Sequence, residues 1–117
     1  MPARVQVELD IFSGMPNPTW ALTNAQVATF IKHLAALPPY SPTELSGNLG
    51  YRGFIVQVMQ EAGTQLIHIQ NGTVHISKGI KDIYARDEGR KLEQWLLSTG
   101  KLHLKSEILQ IVEREFR

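Results

Sequence analysis

Two histidines fall where a tight turn brings them face to face. Residues 65–70 and 73–77 flank Asn71-Gly72, the two-residue signal that closes a β-hairpin. Such a loop sets the register: Gln70 pairs with Thr73, Ile69 with Val74, His68 with His75 and Ile67 with Ile76. Directly opposed residues hold their Cβ atoms ~4.5–5.5 Å apart. One hairpin face carries Ile67, Ile69, Val74 and Ile76 and belongs to the core. The other carries Leu66, His68, Gln70, Thr73, His75 and Ser77. Near the start of the chain, Val5, Val7, Leu9 and Ile11 alternate with Gln6, Glu8 and Asp10, the period of a half-buried strand. If that strand neighbours the hairpin, His68 and His75 meet Glu8 or Asp10. Two imidazoles and a carboxylate are a recurring divalent-metal set, and the same groups serve in acid–base chemistry. The chain has no cysteine. Thiolate metal sites, disulfides and a cysteine nucleophile are therefore excluded, and His and carboxylate remain as ligands. A sheet covered on one side also places polar residues outward without any site.

Two loops carry residue types suited to recognition. Asp10 to Trp20 contains Ser13-Gly14-Met15-Pro16-Asn17-Pro18. Gly14 permits positive φ, and the prolines restrict their neighbours to extended conformations. Such a loop is stiff and can present Ser13, Asn17 and Trp20 at low entropic cost on binding. Phe12, Met15 and Trp20 can equally cover one end of the core. The second loop, Ser46 to Phe54, has glycines three apart at Gly47, Gly50 and Gly53. It precedes a strand, so it is not a dinucleotide fingerprint, and no Gly-Lys-Ser/Thr follows. Arg52 can clamp a carboxylate or phosphate, and Tyr51 can stack on a ligand. No Gly-x-Ser-x-Gly elbow or His-Glu-x-x-His helix is present, and no catalytic residue is assigned.

The elements that must position these groups are readable from their periods. Thr23-Asn24-Ala25-Gln26 has the capping-box form, and Val27, Phe30, Ile31, Leu34 and Leu37 follow at helical spacing. Pro38-Pro39 ends that helix. Phe54 to Met59 is a second strand, followed by the hairpin. Asp87 is placed to cap a helix with Leu92, Trp95 and Leu96 inward and Gly100 at its end. Ser106 is placed to cap a last helix facing inward with Ile108, Ile111, Val112 and Phe116. The order is β-α-β-β-β-α-α, an α+β fold: an antiparallel meander with helices packed on one face. At 117 residues the chain, 1–117, is one domain.

Net charge is +1, too balanced to point to nucleic acid or membrane. Of the 23 charged residues, 16 follow Ser77. Exposed faces of the terminal helices account for this skew, with Glu93, Glu107, Glu113, Arg114 and Glu115 in solvent. No apolar run approaches the ~18–20 residues of a membrane span. The start, Met1-Pro2-Ala3-Arg4, leads into alternation and shows no secretory signal, so a cytoplasmic, bacterial-type protein is expected.

The strings Phe12-Ser13-Gly14-Met15-Pro16-Asn17-Pro18 with Trp20, and Leu49-Gly50-Tyr51-Arg52-Gly53-Phe54, resemble segments of small bacterial proteins. Some of these accompany radical enzymes that modify ribosomally made peptides, as accessory subunits. The resemblance implies a partner-binding role and carries over no catalytic residue.

The expected function is thus a non-catalytic accessory or binding protein without a cofactor. It recognises a peptide or protein partner through the 12–20 and 46–54 loops, with Ser13, Asn17, Trp20, Tyr51 and Arg52 in contact. A free sheet edge can add an extended peptide as a further strand. The alternative is a small metal-dependent or acid–base enzyme using His68, His75 and Glu8 or Asp10. A homodimer through the exposed meander is a third expectation.

Overall fold

A computed structural model describes residues 4–11, 16–41 and 50–116. Strand β1 (Arg4–Leu9) is followed by a short β2 (Thr19–Ala21) and helix α1 (Asn24–Ala35). Strands β3 (Phe54–Gln60), β4 (Gly63–Gln70), β5 (Thr73–Lys78) and β6 (Lys81–Arg86) form a meander. A 3₁₀ turn (Glu88–Arg90) leads to α2 (Lys91–Thr99) and α3 (Ser106–Glu115). The six strands form one antiparallel sheet in the order β2-β1-β3-β4-β5-β6. The expected α+β order holds, with β2 and β6 added. No described helix is long and apolar enough to cross a membrane.

Alternation decides the faces. Val5, Val7, Leu9, Trp20, Phe54, Val56, Val58, Ile67, Ile69 and Val74 are buried on one side. Against them pack Val27 and Phe30 of α1, Leu92, Leu96 and Leu97 of α2, and Val112 of α3. Each large apolar side chain so buried contributes ~1.5–3 kcal/mol of gross burial free energy. The other face carries Gln6, Glu8, Ile55, Gln57, Leu66, His68, His75, Ser77 and Tyr84, and Gln70 and Thr73, expected outward at its hairpin end, are buried.

The local signals act largely as their chemistry requires. Thr23 and Gln26 form the reciprocal capping box, with Thr23 Oγ1 accepting from the Gln26 amide at 3.2 Å and Gln26 Oε1 from the Thr23 amide at 2.9 Å. Ile31, expected inward, is 42% exposed, so the apolar stripe of α1 is narrower than its spacing suggests. After Pro38 the chain runs along β6: Arg86 donates its amide to Pro38 O, and Tyr40 donates to Tyr84 O. That sheet edge is therefore partly occupied by the chain itself. At the other edge stands β2, three residues long.

Three helix-end assignments need correction or refinement. Asp87 does cap α2, but from across the 3₁₀ turn: its carboxylate accepts from the amides of Leu92 (2.8 Å) and Glu93 (2.9 Å). Ser106 is not a cap; Lys105 holds that position without a side-chain bond. Gly100 ends α2 at φ −96 rather than in the left-handed region. Its glycine is required for another reason: a Cβ there would meet the Trp20 ring at 2.4 Å.

Candidate functional site

The two loops of interest meet because the chain keeps pairing beyond the ends of β1 and β3. Asp10 donates its amide to Gly53 O at 2.9 Å and accepts from the Arg52 amide at 2.8 Å. Gly53 makes this approach feasible. It has φ +92, and a Cβ at this position would lie 2.1 Å from Ile69 O. Only glycine tolerates both the backbone angle and the contact.

This backbone arrangement brings side chains together on the polar face of the sheet. Arg52 donates Nη2 (2.8 Å) and Nε (3.1 Å) to Asp10 Oδ1. Asn17 donates Nδ2 to Glu8 Oε2 at 2.8 Å and reaches Asp10 Oδ1 at 3.4 Å. Its Oδ1 accepts from the Ile11 amide at 3.1 Å, while Pro18 O accepts from the Leu9 amide at 2.9 Å. The carbonyl of Arg52 in turn accepts from His68 Nε2 at 2.9 Å. Glu8, Asp10, Asn17, Arg52 and His68 thus form one hydrogen-bonded chain. Most of its members are half-buried, with side-chain exposures of 20% for Arg52 and 14% for Asp10.

His75 lies opposite His68, in the register expected from the Asn71-Gly72 turn. Its Nε2 donates to Asp82 Oδ1 at 3.0 Å, and its ring stacks on Tyr84 with centroids 4.7 Å apart.

The expected metal set is not assembled. Strand β3 stands between β1 and the hairpin, so Glu8 pairs with Ile55 and Ile55 with His68. Two strand spacings put the Glu8 and His68 backbones roughly 10 Å apart. Glu8 and Asp10 bond to Asn17 and Arg52 instead. Among the described residues no three His or carboxylate groups come together in a metal-holding cluster.

Of the expected ligand contacts, Asn17 and Arg52 belong to the joined cluster and two others do not. Trp20 is 4% exposed; its Nε1 donates to Thr99 Oγ1 at 2.9 Å, and its ring lies edge-on to Phe54 and stacks on His103. Tyr51 is also buried, and its hydroxyl donates to Glu93 Oε2. Both aromatics serve the interior. Ser13 and residues 46–49 lie outside the described residues.

Glu93, expected in solvent, is fully buried. It accepts from the Tyr51 hydroxyl, from the Gly72 amide at 3.1 Å, and from Arg90 Nε and Nη2 at 3.2 and 2.9 Å. Arg90 also donates Nη1 to Glu115 O at 2.6 Å and covers the Phe116 ring at 4.5 Å. Burial, then the Glu93 charge and hydrogen bond, push the Tyr51 phenol well above its ordinary pKa, against the opposing effect of Arg90. Nothing local marks these residues: a cation and an acid three apart in a helix normally form a surface pair.

Tyr51 and Arg52 therefore point to opposite sides of the same backbone. Tyr51 anchors that backbone to the helical layer, and Arg52 joins the polar face. A groove of about 260 Å³ between α2 and α3, lined by Leu97, Lys101, Glu113 and Phe116 among others, lies on the helical side, remote from Asn17 and Arg52. Comparison with known proteins found no matching family model, no matching curated protein and no matching solved structure.

Proposed function

We propose that this protein is a non-catalytic accessory or binding module. It recognises a peptide or partner protein at the junction of the 12–20 and 46–54 loops, on the polar face of the sheet. The supporting observation is the clamp of Asp10 on Arg52 and Asn17, which joins the two loops into one polar patch beside Ile55 and His68. Side chains already held in place lose little conformational freedom on binding. Partly exposed Leu66 and Tyr84 extend the patch with apolar surface along the sheet, the mixture that suits a peptide with both polar and apolar side chains.

The test is co-purification of the tagged chain from its native host, compared with Asn17→Ala and Arg52→Ala. A stoichiometric protein or peptide that is retained by the native chain and lost from both variants supports the proposal. Identical recovery from all three chains, or no retained partner, contradicts it.

A further inference from the structure

We propose that His68 and His75 form a two-histidine site for a divalent transition metal on the polar face of the sheet. The two residues are directly opposed on β4 and β5, which places their Cβ atoms ~4.5–5.5 Å apart.

The hydrogen bonds decide which nitrogen of each ring is open. Nε2 of His68 lies 2.9 Å from the Arg52 carbonyl. A carbonyl only accepts, so this nitrogen carries the proton. Nε2 of His75 lies 3.0 Å from Asp82 Oδ1, and an ionised carboxylate also only accepts. In each neutral ring the lone pair is therefore on Nδ1. Proteins prepare histidine ligands in this way: the second N–H is tied to a carbonyl or carboxylate, which sets the tautomer and raises the basicity of the ligating nitrogen. Here each of two opposed rings has such a partner. Tyr84, stacked on His75, further restrains that ring.

The site does not need Glu8 or Asp10, which bond to Asn17 and Arg52. Two imidazoles supply two positions of the metal's coordination shell, and water or a partner's side chain completes it. Imidazole donors in a chain without cysteine select nickel, copper or zinc among divalent ions. The proposal does not depend on the partner-binding reading.

The test is calorimetric titration of the full, untagged chain with nickel and zinc chloride. One saturable event with one metal per chain is expected. His68→Ala and His75→Ala should each weaken it at least about tenfold, and Asp82→Ala by about 10–100-fold. A double variant of the remaining histidines, His33→Gln with His103→Gln, should leave it unchanged. Copper(II) electron paramagnetic resonance on the native chain reads the donors without any variant, and two imidazole nitrogens are expected. The proposal is overturned by no saturable heat, by affinity unchanged in either histidine variant or in Asp82→Ala, by loss in the His33/His103 variant, or by a copper spectrum with fewer than two nitrogens.

Discussion

Arg52 places two of its nitrogens on a single oxygen of Asp10, at 2.8 and 3.1 Å, across 42 residues of chain. The same two residues also share a backbone hydrogen bond. Side chain and main chain therefore close the same junction, and Asn17 is tied into it through Glu8 and Asp10. A charge-assisted bond in a half-buried setting is stronger than an exposed ion pair, whose worth is close to zero.

The first prediction follows from that geometry. Arg52→Ala and Asp10→Ala should each lower stability by about 1–2 kcal/mol, measured by urea unfolding. The double variant should lose less than the sum, with a coupling of about 1 kcal/mol, because each single change already removes the bond. Strict additivity would show that the clamp contributes nothing.

Part of this arrangement was legible in the residues and part was not. The capping box at Thr23 and the His68–His75 register follow from local chemistry within a few residues. Strand β2 has no sequence signal, because three residues after Pro18 are too few to show an alternation. Strand β6 carries Lys81, Asp82 and Arg86 among its six residues, which blurs its alternation. Strand order is a non-local property, so the insertion of β3 between β1 and the hairpin had no local sign. Trp20 and Tyr51 illustrate the same limit. Their types suit a ligand, but their burial is decided by Thr99 and Glu93, contributed by a helix far along the chain. Glu8 and Asp10 stand out by type as metal ligands, and Asn17 and Arg52 as ligand contacts; that the four bond to one another instead follows from the pairing of β1 with β3, which has no local sign.

The ion pair of half-buried Arg90 with fully buried Glu93 supports a second prediction. Glu93 has no exposed surface, and its oxygens bond to Tyr51, Gly72 and Arg90. Glu93→Ala should cost about 3–5 kcal/mol, because it leaves a partly buried guanidinium and a buried phenol without their acceptor. That is a large share of the ~5–15 kcal/mol of a typical domain. A thermal melt shifted by only a degree or two would contradict it.

Tyr51 sets a limit on stability at high pH. Burial and the Glu93 carboxylate hold its phenol protonated in the folded chain, whereas an unfolded tyrosine ionises near ~10. Above that pH the unfolded state binds fewer protons than the folded one. Stability therefore falls as pH rises, by about 1.4 kcal/mol per unit from this one group. Below ~10 both states keep the proton and the contribution is flat. Absorbance at 295 nm, which reports phenolate, should rise identically in the native chain and in Tyr51→Phe until unfolding begins. An extra ionisation step in the folded native chain would refute the argument.

Two glycines three residues apart should respond in opposite ways to alanine. At Gly53 a Cβ would lie 2.1 Å from Ile69 O, and the backbone has φ +92. The left-handed angle alone costs about 1–3 kcal/mol for a residue with a side chain, and the contact is with main chain that cannot rotate away. At Gly50 nothing lies within 4 Å of the added carbon. Gly53→Ala should therefore lose at least about 2 kcal/mol, while Gly50→Ala should stay within about 0.5 kcal/mol of the native chain. Because Gly53 lets the Arg52 backbone reach both Asp10 and His68, Gly53→Ala should also lose the retained partner in the co-purification assay. Gly50→Ala should keep it. Equal stability of the two variants in urea would mean that the Gly53 backbone does not approach the Ile69 carbonyl closely.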